Sequence, residues 1–440
     1  MGQNAKIMAS KQKIVIVVDI GSTKIVAMAG TKTEGNKMNI LGCAKVASKG
    51  IKRGVILNID ETIEVLNEVI NKIEEQLKSD VSEVNVAIAG HLLKTIEYKG
   101  YRYTSSEGIV TQDDIRELYE EVINKQCAAG ERIYHVVPQE YIIDDEPGIS
   151  SPVGCSAKRV DAVYHLLTAP DSYRANLENA LNKINIDLGK VIVSPLATAE
   201  AVLTDDEKEA GVVLVDIGGG VTKAAIYFEG VLCHCSIIPF GGNAITRDIK
   251  EGCSILYRWA EQLKVEYGMA MGDFAKEEQI VTIPAYNGWE PKEISFKSLA
   301  FIIQARLEEI IDSFYFQIEN SGYLEKLGAG IVLTGGTSKL PNIDQLVRYR
   351  TGLDARIGFP ITNVCNKMEE LELPEYYTAL GLLKLSLDNP DNPSDSKKKR
   401  KMKNEKDIVE KPSGGFFKNK FERMSQQITM IFDEDDFELN

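Results

Sequence analysis

The feature that most constrains this sequence is a motif that occurs twice. The segment VVDIGSTKIVAMAG begins at Val17, and LVDIGGGVTKAAIYFEG begins at Leu214. Each copy has an apolar run, Asp-Ile-Gly, small residues, Thr-Lys and a second apolar run. Either copy alone is also compatible with an ordinary tight hairpin. Two copies predict two similar halves that face each other, with one binding site between them.

The turn in each copy is suited to binding a phosphate. Small residues after a strand let backbone N–H groups approach a phosphate closely. An aspartate at the end of the strand can hold Mg²⁺ directly or through its waters. We therefore expect one nucleotide between the halves, with Asp19 and Asp216 beside its metal ion.

Two further segments are candidates for the rest of a nucleotide site. In VLTGGTSKLPN, Gly335 and Gly336 follow an apolar strand, where their backbone would lie against a base or ribose without side-chain obstruction. A plain strand-to-helix turn is the alternative. In RWAEQLKVEYG, Glu261 and Lys264 are three residues apart and share one helix face. They suit ribose hydroxyls and adenine, or they form an exposed ion pair.

Composition restricts the remaining classes of function. The net charge of −14 argues against general nucleic-acid binding, which needs a basic surface. The seven cysteines show no framework spacing, which favours reduced thiols in the cytoplasm. Cys233, His234 and Cys235 have no partner pair at metal-site spacing, so we expect them to pack in a strand. No apolar run is long enough to span a bilayer, which predicts a soluble or peripheral protein.

The order of periodic segments predicts two α/β halves, the first of which carries an insertion. Helical spacing follows the first strands in DETIEVLNEVINKIEEQL, and Thr111 is a candidate helix N-cap in the insert. After residue 387 the composition is that of a disordered linker. The expected units are 13–83 and 165–209 (first-half core), 84–164 (insert), 210–245 and 305–387 (second-half core), 246–304 (small subdomain), 388–413 (basic linker), 414–432 (amphipathic helix) and 433–440 (acidic end).

In their order along the chain, these motifs resemble those of the actin-like ATPase superfamily. They are the phosphate loops DIGSTK and DIGGGVTK, the connecting helix VSPLATAEAVL, the adenosine motif VLTGGTSKLPN and the closing helix ALGLL. The insert contains P-V-G, a basic residue, an acidic residue and HLLTA, and it resembles the insert of the FtsA family. The linker and the GFF-type final segment resemble the FtsA ending. The resemblance covers about residues 13–387. It implies an α/β, actin-like two-lobed fold of duplicated ribonuclease-H-like halves with a small inserted α+β subdomain.

The resemblance implies ATP and Mg²⁺ as the ligands of this site, with Asp19 and Asp216 orienting the metal. The nucleotide residues expected from the motifs are Asp19, Gly21, Ser22, Thr23, Lys24, Asp216, Gly218, Gly219, Gly220, Thr222, Glu261, Lys264, Gly335, Gly336 and Ser338. A β-branched residue at Gly336 is expected to enter the space of the base and to force a backbone region that glycine favours. In the related MreB family a glutamate precedes the proline of the connecting helix, where this chain has Ser194. Serine orients an attacking water poorly, so we expect no catalytic residue and at most very slow hydrolysis.

The FtsA resemblance also implies partners. Members of the family polymerise, bind other divisome proteins and tether FtsZ filaments to the cytoplasmic face of the bacterial inner membrane at the division site. Arg306, in FIIQARLEEIIDSF, matches a family position that pairs with a carboxylate of the FtsZ C-terminal peptide. An ion pair within the helix, with Glu308 or Glu309, is the alternative.

The final periodic segment is expected to bind anionic membrane lipids. Its apolar stripe and flanking basic residues are Phe416, Phe417, Lys418, Lys420, Phe421, Arg423, Met424, Ile428, Ile431 and Phe432. Docking on a protein surface is the alternative. The chain then continues as DEDDFELN, which departs from the family ending and would be repelled by an anionic surface.

Two other functions share parts of this pattern. A PilM-like assembly factor of type IV pilus machines shares the insert but lacks this ending. A sugar or metabolite kinase belongs to the same superfamily, but the sequence gives no argument for a small-molecule pocket, and a kinase has no use for the tail.

Overall fold

The computed structural model describes residues 13–388, apart from positions 34, 36, 106, 107, 126, 150, 277, 285–289, 362, 363 and 367. The predicted membrane helix and acidic end, and all of the predicted linker except Asp388, lie outside the described residues.

The first half of the described chain contains a central sheet, its helices and an inserted unit. Its elements are β1 (Val15–Ile20), β2 (Lys24–Lys32), β3 (Met38–Ala47), β4 (Ile51–Lys52), β5 (Val55–Ile56), α1 (Ile59–Leu77), β6 (Glu83–Ile88), β7 (Lys94–Tyr103), α2 (Gln112–Ile123), β8 (Glu131–Ile143), β9 (Glu146–Ile149), β10 (Arg159–Pro170), α3 (Ser172–Asn182), β11 (Asp187–Val193), α4 (Ser194–Val202) and α5 (Asp205–Ala210).

The second half follows without the large insert. Its elements are β12 (Val212–Ile217), β13 (Thr222–Phe228), β14 (Val231–Ile238), α6 (Gly242–Cys253), α7 (Tyr257–Tyr267), β15 (Ile280–Ile283), β16 (Lys292–Ser295), α8 (Phe296–Asn320), β17 (Ile331–Thr334), α9 (Ile343–Thr351), β18 (Ala355–Ile357) and α10 (Tyr377–Asp388). Short 3₁₀ turns at Gly336–Lys339 and Pro374–Tyr376 also border the site described below.

The two central sheets have the same topology. The first has the order β11-β6-β1-β2-β3, and the second has the order β18-β17-β12-β13-β14. In each, the hairpin that carries the repeated motif is antiparallel, and its first strand pairs in parallel with the next strand of the sheet. This equivalence confirms the predicted duplication and places the two motif turns at corresponding edges of the two sheets.

The predicted helix after the first strands is confirmed as α1, and local residues explain its bounds. The Asn58 side chain accepts from the backbone N–H of Glu61 and caps the N-terminus. Val65, Leu66 and Ile73 lie on its buried face against the first sheet. The helix ends at Lys78, which adopts the left-handed conformation.

The insert forms a separate four-stranded antiparallel sheet in the order β7-β10-β8-β9, with α2 packed on it. Thr111 caps α2 as predicted, in a capping box with Asp114. The inserted sheet begins at Lys94 rather than at residue 84, because β6 pairs with β1 and β11 in the first central sheet. It extends to Pro170, beyond the expected end at 164. The strand VNVAIAG is as apolar as an insert strand would be, so the sequence does not show which of the two sheets it joins.

Side chains of the insert cap the edge strand β14 of the second half. The Thr95 hydroxyl donates to the carbonyl of Cys235 at 3.0 Å and accepts from the N–H of the same residue at 3.1 Å. The Gln139 amide donates to the carbonyl of Leu232 at 2.9 Å. The insert is thereby attached to the second half as well as to the first.

The other three outer strands of the central sheets also have side-chain caps. The partly buried imidazole of His135 accepts from Val193 N–H on β11 at 3.2 Å, and loss of hydration lowers its pKa to about 4, so it stays a neutral acceptor. On β3, the amides of Gln76 and Asn366 each bond both a backbone N–H and a backbone carbonyl, at 2.7 to 3.0 Å. On β18, Arg348 donates to a backbone carbonyl at 2.8 Å.

Two helices cross where the halves join. The α4 helix follows the last strand of the first half, and α10 ends the second half. A Cβ at Gly381 on α10 would lie 1.7 Å from the backbone oxygen of Ala197 on α4, so the crossing requires glycine. Beside it, the hydroxyls of Thr198 and Thr378 are 2.9 Å apart and hydrogen-bonded.

Replacing Gly381 by alanine is expected to lower the free energy of unfolding by about 1–3 kcal/mol, because the two helix backbones must separate. Thermal and chemical unfolding measure this. The control is Gly100→Ala, where the added Cβ would meet only side-chain atoms at 3.6 Å or more. Equal stability of Gly381→Ala and the parent would contradict the close crossing.

Candidate functional site

The two motif turns touch each other across the boundary between the halves. A Cβ at Gly219 would lie 1.9 Å from Thr23 Oγ1, and a Cβ at Gly220 would lie 2.5 Å from Ser22 Oγ. Both positions therefore require glycine for close approach rather than for an unusual backbone angle. Ser22 Oγ is held from the other side, where it accepts from Gly54 N–H at 2.9 Å.

Beside this contact lies a cleft of about 360 Å³. Of the predicted nucleotide-site residues, those that line the cleft are Asp19, Gly21, Ser22, Thr23, Lys24, Asp216, Gly218, Gly219, Gly220, Glu261, Lys264, Gly335 and Gly336. They come from both motif turns, from α7 and from the turn after β17. Segments far apart in the sequence thus converge on one space.

Thr222 and Ser338 do not line the cleft. The Thr222 hydroxyl donates to the carbonyl of Phe240 at 3.0 Å, and the Ser338 hydroxyl donates to the carbonyl of Gly335 at 2.8 Å. Both side chains are buried and stabilise the turns that carry the lining residues.

The two aspartates lie close enough to interact. Burial raises the pKa of Asp19 above its ordinary value, Asp216 adds to the rise, and the lysines Lys223 and Lys24 oppose it. Among the described residues, nothing hydrogen-bonds to the Asp19 carboxylate, whereas Asp216 Oδ2 accepts from Lys223 Nζ at 2.8 Å. Within the described residues, Asp19 therefore has both carboxylate oxygens available for a ligand, whereas one oxygen of Asp216 is already hydrogen-bonded.

The Thr-Lys pairs of the two motifs are not structurally equivalent. In the second hairpin Lys223 lies directly opposite Asp216, but in the first hairpin the residue opposite Asp19 is Val26. Lys24 follows the glycine turn at the first residue of β2, and Lys223 lies one residue inside β13. The two Thr-Lys pairs match in sequence, but their distances along the chain from the aspartate differ by two residues.

Lys24 belongs to a group of lysines around one carboxylate. Burial lowers the pKa of Lys24, and the negative charges of Glu375 and Asp19 oppose this effect. Burial also acts to raise the pKa of Glu375, but Lys24, Lys339 and Lys45 outweigh it and hold that pKa below its ordinary value. Glu375 lies 3.3 Å from Lys45 Nζ and 3.7 Å from Lys339 Nζ. Lysines therefore outnumber the carboxylate around Glu375, whereas the lining of the cleft as a whole has four lysines and four carboxylates.

The turn after β17 corrects the expectation for Gly336. Gly335 has a positive φ of 86°, and its Cβ would lie 2.3 Å from Asp216 Oδ1. At Gly336 the φ angle is outside the left-handed region, and an added Cβ would meet no protein atom within 4 Å. The backbone constraint was thus assigned to the wrong glycine, while the open space at Gly336 is in the cleft.

Glu261 and Lys264 form both an ion pair and part of the cleft wall. Their charged atoms are 2.7 Å apart, and the Lys264 side chain is only 11% exposed. Lys264 Nζ also donates to Thr246 Oγ1 at 2.8 Å and to the carbonyl of Gly242 at 3.2 Å. The pair ties α7 to the start of α6, so it is not a freely exposed surface pair.

Ser194 lies behind the cleft rather than in its wall. Its side chain is fully buried at the start of α4, and its Oγ accepts from Lys223 Nζ at 2.7 Å. The hydroxyl is therefore already engaged by a lysine of the second half.

Several lining residues were missed by the motif analysis. They are Gly54, Lys223, Gly242, Asn243, Lys339, Glu375 and Thr378, with apolar Val265, Leu340 and Pro341 among others. Lys223, Val265, Lys339, Leu340 and Pro341 lie within the motif segments quoted above, and the register of Lys223 could have been found by counting from the aspartate. The others reach the cleft through tertiary folding, without a local signal.

The remaining candidate residues are also placed. Cys233 and Cys235 are buried in β14, and no cluster of metal-ligating residues occurs in the described part of the chain. Arg306 donates from Nε and Nη2 to Asp248 on α6 and from Nη1 to Glu309. The intrahelical alternative for Arg306 is therefore present, together with a pair between helices. Within the described residues, no helix is long and apolar enough to cross a bilayer.

Comparison with known families identifies two matches along the chain. The model of the cell division protein FtsA matches residues 213–381, and the model of the SHS2 domain inserted in FtsA matches residues 90–168. The cell division protein FtsA of Neisseria meningitidis serogroup B is 33% identical over 377 residues, which cover 86% of this chain and 91% of that protein.

Solved structures share the fold at low identity. A chain of the PilM-PilN type IV pilus biogenesis complex has a TM-score of 0.59 and 16% identity, covering 85% of this chain and 98% of its own length. MreB5 of Spiroplasma citri bound to ADP has a TM-score of 0.51 and 15% identity, covering 86% of this chain and 97% of its own. With the matching sheets, these similarities confirm the actin-like two-lobed fold.

Proposed function

The chain belongs to the FtsA family of cell division proteins, and we propose from this premise that it binds ATP with Mg²⁺ between its two halves, polymerises, and tethers FtsZ filaments to the inner face of the bacterial cytoplasmic membrane at the division site. Its other expected partners are divisome proteins, and nucleic acid is not among them.

The observation that carries the nucleotide proposal is the convergence of both motif turns and the Gly335–Gly336 turn on one cleft. Backbone N–H groups of the glycine turns suit the phosphates. Lys24 adds a charge beside them, and Lys264 and Glu261 also line the cleft. The open space at Gly336 suits the base or ribose.

The residues present fit a divalent cation that is bound mostly through phosphates and waters. Mg²⁺ in nucleotide sites commonly uses one or two carboxylates and keeps several waters. Asp19 has a carboxylate without a hydrogen-bond donor among the described residues, and Asp216 contributes its remaining oxygen. When bound, the ion would neutralise phosphate charge.

Hydrolysis is proposed to be very slow, so that ATP acts chiefly as an assembly ligand. At the start of α4 the candidate water-positioning residue is a buried serine whose hydroxyl accepts from Lys223. That hydroxyl is engaged and cannot act as a strong base toward water. Steady turnover near 1 s⁻¹, an ordinary enzymatic rate, would contradict this part of the proposal.

The peptide-binding role of Arg306 requires an exchange of partners. Its guanidinium is already paired with Asp248 and Glu309, and its side chain is 30% exposed. The pair with Asp248 uses two nitrogens and joins α6 to α8, whereas Glu309 is 63% exposed and uses one nitrogen. A carboxylate of the FtsZ peptide would therefore displace Glu309 more readily than Asp248.

The membrane role rests on the sequence of 414–432, where basic residues flank a stripe of apolar residues. An interfacial helix buries only part of each apolar side chain, so a single anchor is weak. Several anchors on one polymer would bind a membrane stably. Polymerisation and membrane attachment are thus proposed to depend on each other.

Gly336→Val is expected to weaken ATP binding by about tenfold or more, since the side chain enters the space of the nucleoside without touching the protein. Titration of a fluorescent ATP analogue measures the change. Gly35→Val is the control, because its Cβ also meets no atom within 4 Å and it does not line the cleft. Unchanged affinity in Gly336→Val would remove this turn from the site.

Arg306→Gln is expected to weaken binding of the FtsZ C-terminal peptide by about 1–3 kcal/mol, through loss of a charge-assisted contact. Glu309→Gln frees one guanidinium nitrogen and should leave affinity equal or higher. Calorimetric titration with the peptide compares the two, and thermal unfolding checks that both variants are folded. The same loss in both variants would show that the ion-pair network supports structure only.

Replacing Phe417 and Phe421 together by glutamate should abolish co-sedimentation with anionic liposomes and leave ATP affinity unchanged. Charges in the apolar stripe oppose insertion into the interface. Added salt should weaken binding of the parent chain without eliminating it, because only the basic residues depend on screening. Liposome binding by the double variant would exclude this segment as the anchor.

A further inference from the structure

A buried lysine lies where two aspartates were expected to hold a metal ion. Lys223 lines the cleft, and its Nζ donates to Asp216 Oδ2 at 2.8 Å and to Ser194 Oγ at 2.7 Å. It is fixed in this place because β12 and β13 pair Asp216 directly with Lys223. The ammonium therefore has two bonded partners and a constant position at the edge of the cleft.

The lysine remains charged in this environment. Its Nζ lies 2.8 Å from a carboxylate oxygen of Asp216 and 2.7 Å from the Ser194 hydroxyl, so the ammonium is paired with an opposite charge and has a second hydrogen-bond acceptor. An unpaired ammonium at such depth would be strongly destabilising, whereas an ion pair with additional hydrogen bonding offsets the loss of hydration.

The local charges are already balanced without a bound ion. Asp19 and Asp216 contribute two negative charges, and Lys24 and Lys223 contribute two positive charges that act on them. One oxygen of Asp216 is used by Lys223, and no group of three or more potential protein ligands occurs in the described part of the chain. Phosphates entering this cleft would meet a fixed cation before any divalent ion is added.

We infer that Lys223 is a built-in cation of the nucleotide site, so that binding of a nucleoside triphosphate to this chain depends only weakly on a divalent ion. The inference rests on the proposed ATP binding in the same cleft. Lys223 and Mg²⁺ both bring positive charge to Asp216 and to the terminal phosphates. Each therefore reduces the increase in nucleotide affinity that the other provides.

The test is the affinity of the full chain for a non-hydrolysed fluorescent ATP analogue, measured in excess Mg²⁺ and in EDTA. For the parent chain the ratio of the two dissociation constants should be below about fivefold, the lower end of typical coupling between two ligands. Lys223→Met should raise the ratio above about 50-fold, since Asp216 and the phosphates then need the ion. The matched control, Lys24→Met, should weaken binding in both buffers and leave the ratio near that of the parent.

A second variant guards against misfolding. Lys223→Met leaves Asp216 buried without its partner, whereas Lys223→Gln offers an N–H donor to Asp216, removes only the positive charge, and should also have a ratio above that of the parent. Thermal unfolding without nucleotide identifies the variants that fold.

The outcomes separate this inference from the proposed function. A parent chain that binds with Mg²⁺ and loses more than about 50-fold in EDTA overturns the inference and leaves ATP binding intact. A small ratio that persists in the folded Lys223 variants also overturns it. No binding in either buffer overturns the proposed nucleotide site itself.

Discussion

The contact between the two glycine-containing turns determines the geometry on which the rest of the structure depends. Gly219 and Gly220 leave no room for a Cβ beside Thr23 and Ser22, so side chains of the first turn lie directly on the backbone of the second. The cleft opens next to this contact, and its walls are the continuation of the same turns. A larger side chain at either glycine would change the separation of the halves before it changed any ligand contact.

The cleft is continuous with the crossing of α4 and α10. Thr378 lines the cleft and bonds Thr198 on α4, and Ser194 at the start of the same helix bonds Lys223 in the second half. Side chains that line the cleft or bond its lysine therefore also belong to the two packed connecting helices. A substitution at Thr378 or Ser194 would therefore act on both the cleft and the packing of the two connecting helices.

Much of the fold and the motif turns that line the cleft could be predicted, for identifiable reasons. The hairpin has a strong local pattern, and its occurrence twice, rather than either copy alone, indicated a site between two halves. Glu375 and Thr378 could not be found in this way, because their positions depend on how distant segments pack. The sequence also suggests a wrong equivalence between two lysines. Lys24 and Lys223 both follow a threonine in the repeated motif, but only Lys223 lies opposite the aspartate of its hairpin. The sequence also does not show which sheet β6 belongs to, because apolar strands of a central sheet and of an insert have the same pattern.

The outer strands of both central sheets are closed by side chains. Thr95 and Gln139 cover β14, His135 covers β11, Gln76 and Asn366 cover β3, and Arg348 covers β18. An open strand edge recruits other chains by backbone pairing, which produces aggregates that separate slowly. Because these backbone groups are already bonded within the chain, backbone pairing between the central sheets of two copies is disfavoured, which leaves side-chain contacts on loops and helices for any association there. Such contacts have modest strength and depend on shape, so an assembly built from them can be taken apart again.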